Sequence, residues 1–142
     1  MRTLDSLIWD EALADGMPDT LLICHDPTLD LTRQAVQAGP RVLFLDPDYA
    51  RSQAAAALGA EFAGDKRLDE FLAGAGEGSA VGLGEMPKSL ARLDYLARAI
   101  AGAGFDSARL VLGANNKHLS RGMNTVLADS FDTVRGLSLI HI

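Results

Sequence analysis

Disulfides, long apolar runs and ordered aromatic clusters are what this sequence does without. Cys24 is the only cysteine in 142 residues, so no internal disulfide framework and no cysteine-based zinc site can be built. It lies beside the run Leu21, Leu22, Ile23 and reads as a buried, inert thiol. No window approaches the roughly 18 consecutive apolar residues that a membrane span needs. The opening stretch MRTLDSLIWDEALADG carries acids where a signal peptide requires an unbroken apolar segment, so the expectation is a cytoplasmic protein with no membrane contact. Aromatic residues make up 6% of the chain. Trp9, Tyr49, Tyr95 and the five phenylalanines are scattered, and no stacking platform for bases is visible in their order. The histidines, His25, His118 and His141, have neither an i, i+4 partner nor a nearby carboxylate at ligand spacing, so no metal site is expected.

Charge of one sign is also in short supply. With 13 basic and 19 acidic residues the net charge is −6, which argues against gripping nucleic acid by bulk electrostatics. The imbalance is local, however. Residues 1–78 hold fourteen acids and six bases, a balance of −8, whereas residues 79–142 hold five acids and seven bases, a balance of +2. An anionic partner would meet the second half.

With 48% apolar and 23% charged residues, the chain can bury one core, and a single domain is the expectation. Short apolar runs alternate with longer segments of helical spacing. Thr20–His25, Arg41–Asp46, Ser79–Gly84 and Arg109–Gly113 are bounded by Gly, Pro or Asp and read as buried strands. Residues 60–63 and 133–137 are candidates for two more. Helical spacing marks Leu29–Ala38, Tyr49–Leu58, Leu68–Ala73, Ser89–Ala103 and Ser120–Ser130. Alternation of this kind implies right-handed crossovers and an α/β fold: a Rossmann-like, mostly parallel sheet with helices on both faces. Pro27, Pro47 and Pro87 fall between a strand and the next helix, while Gly39-Pro40, Gly59 and residues 102–104 stop helices. The stretch GAGEG at 74–78 is a loop too short for a domain linker.

Such sheets bind ligands at the carboxyl ends of their strands, and the loops there are informative by omission. A dinucleotide or S-adenosylmethionine site needs glycine after the first strand, because only a residue without Cβ lets backbone, ligand and helix approach closely. Here that loop reads Cys24-His25-Asp26-Pro27-Thr28-Leu29 and contains no glycine. Gly82 and Gly84 form a G-x-G inside a later strand, where close packing is the simpler explanation. Asp46, at the end of the second strand, stands where a ribose-binding carboxylate would sit and is the weak cofactor-binding candidate. The competing reading makes it a cap for the helix beginning near Pro47, and Asp26 has the same explanation. Ser89 and Ser120 lie at helix starts and read as caps rather than nucleophiles. No catalytic residue and no cofactor follow from these residues.

One loop does gather polar groups. GANNKHLSRG at 113–122 follows a strand and precedes an amphipathic helix, bringing Asn115, Asn116, Lys117, His118 and Arg121 near a helix N-terminus that favours anions. Phosphate contact and a solvated, well-capped loop are the two readings. Lys88, after the neighbouring strand, belongs to the same patch or is a plain surface charge.

The motifs Met86-Pro87-Lys88-Ser89-Leu90 and Lys117-His118-Leu119-Ser120-Arg121-Gly122-Met123-Asn124 resemble the N-terminal domain of two-domain ribosomal RNA guanine-N2 methyltransferases. The likeness is specific over about residues 80–135 and otherwise one of pattern. It implies a degenerate copy of the methyltransferase fold, with a Pro-Lys-Ser type motif where the active copy has its catalytic loop. On this view S-adenosylmethionine binds the tethered C-terminal domain, which this chain does not contain. Lys88, Asn115, Asn116, Lys117, His118 and Arg121 then become candidates for contact with rRNA or with that domain. The closing hexapeptide Leu137-Ser138-Leu139-Ile140-His141-Ile142 matches the translation of a transposon end used in preparing sequencing libraries. Residues 137–142 are therefore expected to be an artefactual tail, the alternative being an apolar edge strand.

Two functions stay open at this point. One is a non-catalytic domain that supports rRNA recognition and the stability of a missing S-adenosylmethionine-binding domain. The other is a stand-alone α/β enzyme or small-molecule binder with a non-standard nucleotide site near His25, Asp46 and Lys117.

Overall fold

The computed structural model describes residues 2–64, 66–73 and 76–114. Its strands are β1 (Thr20–His25), β2 (Arg41–Phe44), β3 (Glu61–Phe62), β4 (Ser79–Glu85) and β5 (Ser107–Gly113). Its helices are α1 (Thr3–Ala12), α2 (Asp30–Ala38), α3 (Tyr49–Leu58), α4 (Leu68–Ala73) and α5 (Leu90–Ala101). The strands form one sheet in the order β3-β2-β1-β4-β5, and every pairing is parallel. The chain is thus an α/β protein with helices flanking a parallel sheet.

Side-chain alternation along the strands splits the interior into two cores. Leu21, Ile23, Val42, Phe44, Val81, Leu83 and Val111 pack on one face with Leu4, Ile8 and Ala12 of α1, Leu31 and Ala35 of α2, and Ala55 of α3. Leu22, Cys24, Leu43, Leu45, Ala80 and Leu112 pack on the other face with Leu68 and Leu72 of α4 and Leu93, Leu96 and Ile100 of α5. Because both faces are covered, Leu21, Leu22 and Ile23 are all fully buried in succession, each stabilising the fold by roughly 1.5–3 kcal/mol relative to an exposed side chain. A continuous apolar run, rather than an alternating one, is what a two-sided parallel strand requires.

The expected elements are present with small changes of boundary. The second strand ends at Phe44 rather than Asp46, and the fourth extends to Glu85. The fifth begins at Ser107. The candidate strand at 60–63 is reduced to Glu61–Phe62. Gly39 and Gly59 close α2 and α3 in the left-handed conformation, as helix-stopping glycines do. The expected helix over 120–130, strand over 133–137 and tail at 137–142 lie outside the described residues.

Helix α1 has no counterpart among the elements read from the sequence. Leu4, Ile8 and Ala12 recur every fourth residue and are buried, so α1 lays one stripe over β4 and β5 and completes the cover of that face. The Arg109 guanidinium of β5 donates to the carbonyl of Ala12 at 3.4 Å, satisfying an acceptor at the helix end.

Candidate functional site

Chain order reverses at β1: β2 and β3 extend the sheet to one side, and β4 returns to the other. The crevice beyond the carboxyl ends of β1 and β4 is therefore the switch point at which such sheets bind ligands. His25 ends β1, Asp26 follows it, Asp46 lies just past β2, and Glu85 ends β4.

Asp26 is fully buried. Its Oδ2 accepts hydrogen bonds from the backbone N–H of Thr32 and from the Thr32 hydroxyl, both at 2.8 Å. Asp26 thus caps α2 from outside it, because the residue at the N-cap position is Leu29, held in the left-handed conformation at φ 63°. The helix amide that would face an anionic ligand is already taken by the protein's own carboxylate. Its other oxygen, Oδ1, has no hydrogen-bond partner among the described residues. Burial pushes the Asp26 carboxyl up from its ordinary pKa, and the Asp5 charge adds to the effect.

Asp46 is held differently. Its Oδ1 accepts from the Asp48 backbone N–H at 3.0 Å and from Arg51 Nη2 at 3.2 Å. Its Oδ2 accepts from Arg51 Nε at 2.9 Å and lies 3.1 Å from His25 Nδ1. An ionised carboxylate can only accept, so His25 carries its proton on Nδ1. Burial works against the charge on Asp46, but the bonds from His25, Arg51 and the Asp48 amide outweigh it and hold the carboxyl well below the usual range. The expected helix cap is corrected here. Asp48 is the N-cap of α3, accepting from Arg51 N at 2.9 Å, because the helix begins two residues beyond Pro47. Asp46 occupies the position of a ribose-binding acid, yet all four of its lone-pair directions are given to the protein.

The end of β4 is tied to the start of α1 by an ion pair. Arg2, just before α1, donates to both oxygens of the buried Asp5 at 3.0 and 3.1 Å and to Glu85 Oε2 at 3.3 Å. Next to Glu85 in β4, Gly84 lies so near His25 that a Cβ would stand 2.7 Å from the His25 N and O atoms. Gly82 packs toward Leu110 and Cys24. The G-x-G is therefore a packing device between β4 and its neighbours. Cys24 itself is buried, and burial pushes its thiol up to about 12.

Lys88 is exposed in the loop between β4 and α5. Ser89 caps α5, accepting from Arg92 N at 3.2 Å, as its place in the sequence suggested. Asn115, Asn116, Lys117, His118, Ser120 and Arg121 lie outside the described residues.

A second concavity was not legible in the sequence. Beyond the carboxyl ends of β2 and β3 is a cavity of about 400 Å³ whose lining includes Asp46, Tyr49, Phe62, Lys66, Arg92 and Tyr95. Of the aromatic residues that look scattered along the chain, Phe44, Tyr49, Phe62 and Tyr95 come together in this lining. The reason is topological, since α3, β3 and α5 all begin or end at this edge. Arg92 Nη2 donates to the Leu45 carbonyl at 2.8 Å, and its guanidinium lies 5.7 Å from the Tyr95 ring centroid. The Tyr95 hydroxyl accepts from the Leu68 amide at 3.1 Å, which fixes the ring at the N-terminus of α4.

Among the described residues no three His, Cys, Asp or Glu side chains are grouped to hold a metal ion, and no helix is long and apolar enough to cross a membrane. Comparison with family models, with characterised proteins and with solved structures found no significant match for this chain.

Proposed function

We propose that this chain is a degenerate methyltransferase-like domain that does no chemistry itself, contacts ribosomal RNA weakly, and stabilises a tethered S-adenosylmethionine-binding domain of a cytoplasmic rRNA guanine-N2 methyltransferase. The observation that carries the reading is the turn after β1. Where a cofactor fold keeps glycine and a free helix N-terminus, this chain has buried Asp26 capping Thr32, followed by Pro27 and the left-handed Leu29. Three further features support it: Asp46 is saturated by His25, Arg51 and the Asp48 amide, Arg2 bridges Asp5 and Glu85, and the Pro-Lys-Ser motif resembles that of the degenerate family domain.

In this reading Lys88, Asn115, Asn116, Lys117, His118 and Arg121 supply the RNA or domain contacts, within the half of the chain whose charge balance is +2. Few phosphates are met, so affinity is low and falls with salt. The test is binding of the purified chain to an rRNA fragment across a salt series. Weak binding that weakens further with salt, and again in Lys88→Ala, is expected. Binding that ignores both salt and Lys88→Ala contradicts this assignment of the contacts.

A further inference from the structure

We propose that the turn after β1, residues 26–29, is a latch closed by a proton on Asp26: with the proton in place the turn holds the start of α2 against the sheet, and without it the turn opens locally while the rest of the fold stands. Three observations meet in these four residues. Asp26 is fully buried, and its Oδ1 has no hydrogen-bond partner among the described residues, so the ionised form keeps an unsatisfied oxygen away from water. Leu29 stands at φ 63°, the only residue other than glycine in the left-handed region among those described, and a leucine adopts that backbone only where its surroundings hold it. Pro27 and Thr28 between them are exposed. The turn is therefore fastened inward at its two ends, by Asp26 to Thr32 and by Leu29 to the core.

The groups around Asp26 set the sign of the device. From α1, the fully buried Asp5 opposes it with a like charge. Arg2 is committed to both Asp5 oxygens and to Glu85 of β4. From α3, Arg51 acts on Asp26 only through its field, its guanidinium being bound to Asp46. His25, the preceding residue, pairs with Asp46 as well. From α2 come the Thr32 amide and hydroxyl, and both bind Oδ2. A proton on Oδ1 supplies what these neighbours do not, because it removes the charge that Asp5 opposes. Burial and the Asp5 charge raise the Asp26 carboxyl above its ordinary pKa, so the latch is closed in acid and loosens as pH rises through the folded value. The device stands apart from the RNA-contacting reading and does not need it.

The Thr32 amide is the reporter, because its bond to Asp26 Oδ2 forms when the turn closes. Hydrogen exchange of the whole chain is followed by NMR between about pH 4 and about pH 8, with rates corrected for intrinsic exchange, in the unsubstituted chain, Asp26→Asn and Asp5→Asn. Thr32 should exchange at least about tenfold faster than the Leu22 and Ile23 amides of β1, with little dependence on denaturant, as local openings do. Its protection should fall as pH rises. In Asp26→Asn that protection should be higher at neutral pH and flat with pH, and in Asp5→Asn the pH dependence should shrink; thermal unfolding midpoints check that each variant is folded. Thr32 protection equal to that of Ile23 overturns the latch, since the turn then opens only with the whole fold. A pH dependence unchanged in either variant also overturns it, since the trigger then lies elsewhere.

Discussion

Gly84 in β4 rests against the backbone of His25 in β1, with room for a hydrogen and none for a methyl group: a Cβ there would lie 2.7 Å from both the amide nitrogen and the carbonyl oxygen of His25. The register between the two strands shifts at this point, His25 rather than Cys24 standing opposite Gly84. The irregularity and the close approach both fall at the switch point of the sheet.

Gly84→Ala therefore lowers the unfolding free energy by about 1–3 kcal/mol, the usual cost of forcing an atom into a packed interior, increased by its backbone φ of 153°. Gly82→Ala is the control. Its added Cβ would meet chiefly the end of the flexible Leu110 side chain at 2.8 Å, so a smaller loss is expected. Urea unfolding of the two variants checks the order, and equal losses would show that the β1–β4 approach is not tight.

The Asp46 cluster makes a pH-dependent contribution. Its carboxyl is held below the ordinary range in the folded protein, so the stabilisation is fully present above the unfolded carboxylate pKa of about 3.9 and is lost as pH falls through the lower folded value. Asp46→Asn should cost about 1–3 kcal/mol at neutral pH, as expected when a charged, hydrogen-bonded group is removed. The difference from the unsubstituted chain should shrink below about pH 4. Unfolding titrations at stepped pH check this, and a difference that stays constant into acid contradicts it.

Asp26 carries the opposite sign. Its folded pKa is raised, so the penalty of ionising it grows as pH rises from the unfolded value through the folded one. Asp26→Asn keeps an acceptor for Thr32 and removes a buried charge with one unpartnered oxygen. It is expected to be neutral or stabilising at pH 7. Asp26→Ala deprives the Thr32 amide and hydroxyl of their acceptor and should destabilise by about 1–2 kcal/mol. Thermal unfolding of the pair decides it; loss of stability in both would mean that the charge itself is needed.

Cys24, buried and with its thiol pushed up to about 12, is expected to react with a thiol reagent only when the chain opens. Labelling should follow the population of unfolded chains across a denaturant series. Rapid labelling of the native protein would show that this face of β1 is open.

The fold was readable because fully covered parallel strands leave an unmistakable trace, as TLLICH and RVLF do, and because Pro and Gly punctuate the helices between them. Helix α1 is less legible, because its narrow buried stripe of Leu4, Ile8 and Ala12 is interleaved with the acids Asp5, Asp10 and Glu11, and Asp5 is itself buried. The site was half legible. The missing glycine after β1 could be seen directly, and so could the capping role of Asp26. The pairing of His25 with Asp46 depends on strand register, and the meeting of Tyr49, Phe62 and Tyr95 depends on topology; neither leaves a local pattern in the sequence.

On the proposed reading the turn after β1 cannot hold S-adenosylmethionine. Calorimetric titration of the purified chain with S-adenosylmethionine tests it most directly. The account predicts no heat of binding above dilution, and saturable binding at a defined stoichiometry would contradict it.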